Sequence, residues 1–310
     1  MSQPLSVGAE EYLSWLAVEK GRSRNTLAAY RRDIASWEQW AHQARVDPLT
    51  PRPEDLELYL DELRTNGRDP SSMARSITSL RGLYRFLVGE GTIPSDPTAD
   101  LRSPHLPRRL PKALTEDQVA SLLDSISGTA PADLRDRALL ELLYGSGARI
   151  SEVVGLSLAD LQGDDGLLRV FGKGAKERLV PLGGAARVAL DAWLAPPGRP
   201  RMVPSQWRRR SDAEAVFLNS RGWRLSRQGA WGVVSHHAER AGLGNLVSPH
   251  VLRHSCASHM LAHGADIRVV QELLGHVSIA TTQIYTKLSQ EHLRASYEGA
   301  HPRAGASQLK

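Results

Sequence analysis

Four stretches of the 310-residue chain carry side chains that can handle a phosphate. The first, "SPHVLRHSCASHMLAHG" at 248–264, reads as a helix with Ser248 as N-cap and Pro249 in its first turn. His250 and Arg253 lie three apart on one face near the helix N-terminus, where free backbone N–H groups and a positive dipole favour an anion. A guanidinium fork beside an imidazole makes a natural phosphate seat. Leu252, Cys256 and Met260 repeat every four residues and face a core. The same helix also allows a metal reading, because His250/His254 and His259/His263 are both i, i+4 pairs. Neither pair forms H-E-x-x-H and no nearby carboxylate completes a ligand set, so no metal is expected.

The second stretch, "YGSGARISEVVGL" at 144–156, puts Arg149 straight after a Gly-Ser-Gly turn, with Ser151 and Glu152 in the first turn of a helix. Alone, Arg149 reads better as a helix-start arginine salt-bridged to a neighbour than as a phosphate ligand. The third, "GLLRVFGKGAKERLVPL" at 166–182, holds two β-compatible runs around a tip that carries Lys173. It lacks the G-x-x-x-x-G-K-[ST] of a nucleotide loop, and a lone hairpin lysine is usually just exposed. In the fourth, "QELLGHVSIATTQIYTKL" at 271–288, helical spacing breaks at "GHVS", leaving His276 in a tight turn and Tyr285 nine residues on. That segment is either a helix-turn-helix that reads DNA or one edge of an active site.

The elements needed to position these groups can be read from periodicity. Residues 5–90 form a four-helix unit: Leu27, Tyr30, Ile34, Trp37 and Ala41 make one apolar stripe behind the N-cap Ser23, and Met73, Ile77, Leu80, Tyr84 and Leu87 make another. Flanking helices are expected over 5–19 and 53–65. Arg24, Arg31 and Arg32 lie off the stripe, left for another surface. Five prolines in 94–112 mark an extended connection. Helices resume at "TEDQVASLLDSI" and "DLRDRALLELLYGSG", the hairpin follows, "AVFLN" offers a third strand, and helices fill most of 226–297. Trp223 and Trp231 read as packing residues. The expected divisions are a helical domain over 1–102, a linker over 103–112, a mostly helical domain with a small sheet over 113–300, and a flexible tail over 301–310.

Composition narrows the function classes. The chain is 41% hydrophobic and 24% charged, which is globular, and no run of about 18 apolar residues exists for a membrane span. The first residues lack a signal-peptide pattern, so a cytoplasmic location is expected. Cys256 is the single cysteine, which excludes an internal disulfide and a cysteine-based zinc site. Residues 1–110 balance 15 basic against 15 acidic side chains, so the whole net charge of +5 lies beyond them. Eight arginines within 199–227 face only Asp212 and Glu214, a balance that suits a polyanion or a solvated loop.

The order of these groups carries more than any one of them. Arg149, Lys173, His250-x-x-Arg253, Gly275-His276 and Tyr285 resemble, one for one, the active-site set of the tyrosine recombinases, the phage-integrase family. The block from "HVLRH" through "GADIRVVQELLGH" to "TTQIYT" is similar to the Xer branch, and the likeness covers nearly the whole chain. Two departures stand out: Cys256 sits where members carry a bulkier Phe, and the arginine-rich 199–213 loop is longer than the family's lean versions.

The resemblance implies a mainly α fold with a small β-sheet, whose helical core-binding domain and catalytic domain form a clamp around duplex DNA. It implies site-specific strand exchange without metal, ATP or other cofactor. Tyr285 would be the nucleophile, forming a 3′-phosphotyrosine and freeing a 5′-hydroxyl. Arg149, Arg253 and His276 would bind the phosphate and its transition state, Lys173 would be the general acid, and His250 would assist proton transfer. Arg108, Arg109 and Lys112 of the linker would run beside phosphates, and the segment around Leu293 and Tyr297 would dock on a neighbouring subunit, although its sequence fits a helix packed on its own domain equally. Implied partners are a double-stranded recombination site, a sister Xer recombinase in a heterotetramer, and a septal DNA translocase, with chromosome-dimer resolution at cell division as the role. A plasmid or phage integrase would share every catalytic residue. A helix-turn-helix regulator would leave Arg149, Lys173 and the His250/Arg253 pair unexplained.

Overall fold

The computed structural model describes residues 4–101, 113–161, 166–172, 177–275 and 287–305. The chain divides into two compact units, residues 1–109 and 110–310. The first is built from α1 (Val7–Val18), α2 (Arg24–Gln43), α3 (Pro53–Thr65) and α4 (Pro70–Gly89). Ser23 caps α2 by accepting from the Thr26 N–H, and Asp69 caps α4 by accepting from Ser71 and Ser72. Ile34, Trp37 and Ala41 of α2 meet Met73, Ile77, Leu80, Tyr84 and Leu87 of α4 in one buried core, with Leu27 and Tyr30 packed at its edge. Trp37 and Tyr84 both donate to the Pro48 carbonyl, so the turn after α2 is held by the core aromatics. Of the arginines left off the stripe, Arg31 forms a two-point pair with Glu10 at 2.5 Å, which ties α2 to α1.

The second unit contains α5 (Glu116–Asp124), α6 (Pro131–Gly145), α7 (Ile150–Gly155), the hairpin β1 (Leu167–Phe171) and β2 (Glu177–Pro181), α8 (Gly184–Leu194), α9 (Arg210–Ala213), α10 (Arg227–Arg240), α11 (Pro249–Ala262), α12 (Ile267–Leu274) and α13 (Lys287–Ala300). The two strands pair antiparallel, with Leu168 opposite Val180 and both buried. Helix α6 lies at the centre: Leu139, Leu140, Leu142, Leu143 and Tyr144 are all buried. A helix buried on nearly every side, with its charged Arg135, Asp136 and Glu141 paired inside, is a core element, not a surface one.

Three expectations need correction. "AVFLN" does not form a third strand; residues 215–218 are fully buried, but they make only single bridges, Ala215 to Ser157 and Leu218 to Arg224. The arginine-rich 199–227 stretch is not simply a solvated loop. Arg199 is buried and donates to the Ala215 and Ala213 carbonyls, and Arg224 donates to the carbonyls of Val154, Gly155 and Leu156 at the end of α7. Trp231, expected to pack, is 47% exposed because it falls one position off the Ala230–Val234 face of α10. Trp223 is half-buried and carries Arg208 and Arg221 over its ring.

The C-terminal segment packs on its own domain. Leu293, Tyr297 and Ala300 of α13 are buried, with α11, α12 and β2 as neighbours. Residues 301–305, assigned from sequence to a flexible tail, are held in place. Arg303 pairs with both oxygens of the buried Glu141 at 2.8 and 2.5 Å, and the Gly184 N–H donates to the Ala304 carbonyl. Apolar anchors in a sequence cannot say whose core they enter, which is why the docking partner was open.

His301 lies in this buried cluster, and burial pushes its imidazole pKa down to about 3. The unfolded chain therefore binds a proton near pH 6.5 that the folded domain refuses, so stability falls as pH drops through 6.5 towards 3. From pH 7 to pH 5 this one group removes about 2 kcal/mol. A denaturant titration at each pH should show that slope in wild type and a flatter one in His301→Gln.

Candidate active site

The site is assembled from helix ends. Helix α6 stops at Gly145, where the Ser146 hydroxyl donates back to Leu142 and accepts from the Ala148 N–H. Gly147 then turns the chain at φ +59°, and Arg149 enters α7 as its N-cap. The left-handed φ is not the only reason for glycine at 147. A Cβ there would sit 3.2 Å from both Cys256 Sγ on α11 and Leu274 Cδ2 on α12. The turn is a point where three helices meet, and the small Cys256 occupies one wall of it. Burial pushes the Cys256 thiol up to about 12, so it stays a neutral packing group.

Arg149 joins a cluster around one carboxylate. Its backbone N–H donates to Glu152 Oε2 at 2.7 Å and its Nη1 to Oε1 at 3.0 Å. Glu152 also receives a parallel fork from Arg178 of β2, Nη1 to Oε1 at 2.6 Å and Nη2 to Oε2 at 2.8 Å. Burial alone would raise the Glu152 pKa. The hydrogen bonds from Arg178, then Arg149, outweigh it and hold the carboxyl below its ordinary range, so Glu152 is an anion. The Arg178 Nε reaches the Leu273 carbonyl in the last turn of α12 at 3.2 Å.

Arg253 completes the arrangement from α11. Its guanidinium is buried, donating from Nη1 to the Gly147 carbonyl at 2.6 Å and from Nη2 to the Leu274 carbonyl. Burial, and then the charges of Arg149 and Arg178, push its pKa down to about 10. Three guanidiniums face one carboxylate here, so two positive charges remain uncompensated among these four side chains. A buried arginine that has only carbonyl partners among the described residues is a seat for an anion.

The sequence-predicted residues are placed unevenly. Arg149 and Arg253 come together, and His250 is exposed in the first turn of α11, which Ser248 caps as expected. Leu252, Cys256 and Met260 face the core. Lys173, His276 and Tyr285 lie outside the described residues, as does the linker with Arg108, Arg109 and Lys112. The described residue just before His276 is Gly275, at φ +62° as the left-handed cap of α12. His259 belongs to the core: Nδ1 meets the Tyr144 hydroxyl at 2.9 Å and Nε2 the Leu114 carbonyl at 2.7 Å, so both nitrogens of that metal-spaced histidine are engaged.

Sequence reasoning missed Arg178 and gave Glu152 only a helix-start role. The signal for Arg178 was present. In "ERLVP" the buried positions of β2 include Arg178 and Val180 in alternation, so an arginine occupies the inward register of a half-buried strand. A charge at such a position needs a partner.

Comparison with known proteins decides what this arrangement belongs to. Residues 112–292 match the model of the phage integrase family, and residues 9–91 match that of the phage integrase N-terminal SAM-like domain. The chain belongs to the phage integrase family. These are the tyrosine recombinases, which cleave and rejoin DNA through a phosphotyrosine intermediate. Integrase-family relatives match along the whole chain. Tyrosine recombinase XerD of Corynebacterium glutamicum is 45% identical over 305 residues, 96% of this chain and 98% of the relative. Tyrosine recombinase XerD of Mycobacterium tuberculosis (strain H37Rv) is 46% identical over 312 residues, 97% and 99% of the two chains. Among solved structures, lambda integrase residues 75–356 bound to DNA align with a TM-score of 0.67 at 20% identity, over 89% of this chain and 93% of that one. The XerH recombinase bound to its palindromic difH substrate aligns at 0.63 and 20%, over 94% and 84%. These two structural likenesses establish the fold: a mostly helical chain with an N-terminal helical domain and a catalytic domain holding a small sheet.

The turn at 147 in this integrase-family site is sensitive to a single added atom. Gly147→Ala should lose about 2 kcal/mol, from the left-handed φ and the tight contacts with Cys256 and Leu274. Urea unfolding of the two proteins measures it.

Proposed function

We propose that this tyrosine recombinase is of the Xer type, nearer XerD than XerC, and resolves chromosome dimers at a short site before cell division. The observation that carries the mechanism is the convergence of Arg149 and Arg253 beside a carboxylate already claimed by Arg178. That leaves a net positive, part-buried seat for one phosphodiester, which is what attack by a tyrosine requires. The full-length identity to several proteins named XerD supports the finer assignment.

In this reading the Tyr285 phenol attacks the scissile phosphorus and the bond to the 5′-oxygen breaks, leaving a 3′-phosphotyrosine and a free 5′-hydroxyl. Negative charge grows on the nonbridging oxygens. Arg149 and Arg253 stabilise it with preorganised donors and His276 adds a third group, each worth about 3 kcal/mol or about 100-fold in rate. Lys173 protonates the departing 5′-oxygen, and His250 assists removal of the tyrosine proton, which ordinarily leaves near pH 10. The covalent link keeps the phosphodiester energy, so a second strand's hydroxyl can reverse the step with no metal or nucleotide. The assembly on DNA is a heterotetramer with a sister recombinase, activated by a septal DNA translocase, in the cytoplasm. In this reading 1–102 is the core-binding domain, 103–112 the linker and 113–300 the catalytic domain.

The test is a nicked duplex carrying a candidate terminus site, incubated with the protein in excess EDTA. Wild type should give a denaturant-resistant protein–DNA adduct that maps to Tyr285, and Tyr285→Phe should bind equally well and give none. Arg149→Ala and Arg253→Ala should each slow adduct formation by about 100-fold. Binding by wild type without any adduct, even with a sister recombinase added, would turn the assignment towards a DNA-binding regulator.

A further inference from the structure

The geometry points to Arg178 as a positioning residue for strand cleavage: by occupying both oxygens of Glu152, it leaves the Arg149 guanidinium available to the phosphate. The inference deepens the recombinase reading above and rests on it.

Glu152 divides its bonds unequally between the two arginines. Arg178 gives it a two-point fork at 2.6 and 2.8 Å, while the Arg149 side chain gives one longer bond at 3.0 Å. Arg178 is 9% exposed at its side chain and Arg149 is 41% exposed. The buried arginine thus neutralises the carboxylate and the open one is held lightly, through one of its five N–H donors. Arg178 is poorly placed to touch the phosphate itself, since its side chain is 9% exposed and three of its five N–H donors are engaged, two on Glu152 and Nε on the Leu273 carbonyl.

Without Arg178, an ionised Glu152 with 1% side-chain exposure would have Arg149 as its remaining hydrogen-bonded cation among the described residues. The shorter, two-point geometry would then draw Arg149 inward and take its donors from the phosphate. The effect is electrostatic competition, and it predicts a rescue that simple loss of packing does not. Making Glu152 neutral removes the competitor.

The fork also spans elements. Arg178 joins β2 of the Lys173 hairpin to the start of α7 and to the last turn of α12, one residue from the carbonyl that Arg253 holds. A purely structural role in that joint would be worsened, not relieved, by a second substitution at Glu152.

The experiment uses the full chain and the nicked duplex, with single-turnover adduct formation and duplex binding measured together. Arg178→Met should slow adduct formation by roughly tenfold or more while binding changes far less. The double variant Arg178→Met/Glu152→Gln should recover most of that loss. A double variant as slow as Arg178→Met, or slower, overturns the competition mechanism, as does an Arg178→Met rate equal to wild type. If Arg178→Met does not fold, Arg178→Lys serves: it keeps a charge but not the fork, and should be slowed, with recovery on adding Glu152→Gln. A wild-type rate for Arg178→Lys, or no recovery, overturns the inference in that case. No adduct from wild type defeats the recombinase reading itself, whereas a wild-type adduct with unaltered Arg178 variants defeats only the role of Arg178.

Discussion

A single buried carboxylate organises the catalytic domain around its functional end. Glu152 is almost inaccessible to solvent, and an isolated carboxylate in such a place is too costly to keep ionised. It stays charged because two arginines reach it, one from its own helix and one from β2. Removing a partner from a buried pair costs about 3–5 kcal/mol, so α7 and the hairpin are locked to each other near the site. Through Arg178 the same link extends to the end of α12.

The site is built at helix termini because termini supply what an anion needs without special chemistry. Arg149 is the N-cap of α7 and His250 stands in the first turn of α11, at the positive end of that helix's dipole. The end of α12 presents the opposite polarity, with bare carbonyls. Arg178 and Arg253 each donate to one of those carbonyls, so the negative end of α12 is covered by cations before the chain reaches His276. Arg253 therefore holds together two elements, the 147 turn and α12, while remaining charged. On the proposed reading a phosphate there would meet an Arg253 already fixed by two carbonyls, so little reorganisation of that group would be needed as charge develops.

How much of this was legible in the sequence depended on which physical signal each residue carries. The stripes of α2 and α4, the Ser23 and Ser248 caps and the core face of α11 follow from periodicity and capping chemistry, and the structure has them all. Arg149 and Arg253 were found by type and order, not by any local pattern. Arg178 was hidden because a lone arginine beside a hairpin tip looks solvent-exposed, and only its strand register argues otherwise. "AVFLN" was misread because a buried extended run has the composition of a strand whether or not a ladder forms. Arg199 and Arg224 were counted with a basic patch, since charge counting cannot tell a guanidinium that meets solvent from one that satisfies backbone carbonyls.

The Glu152 arrangement has a counterpart that shows what makes it a site. Glu141 on α6 is also a buried carboxylate between two arginines, the local Arg137 and the distant Arg303. The distant arginine again forms the two-point pair, and the local one a single bond at 3.2 Å. The difference lies in the local partner. Arg137 is 17% exposed, donates also to the Leu123 carbonyl and lies 3.7 Å from the Asp124 carboxylate, so its charge is already met. Arg149, at 41%, opens to solvent beside a third guanidinium that has no carboxylate among the described residues. The first arrangement closes the C-terminal segment onto the domain. The second has the same pairing chemistry but leaves charge uncompensated at an open edge, and that surplus, not the ion pair itself, makes it fit for a phosphate.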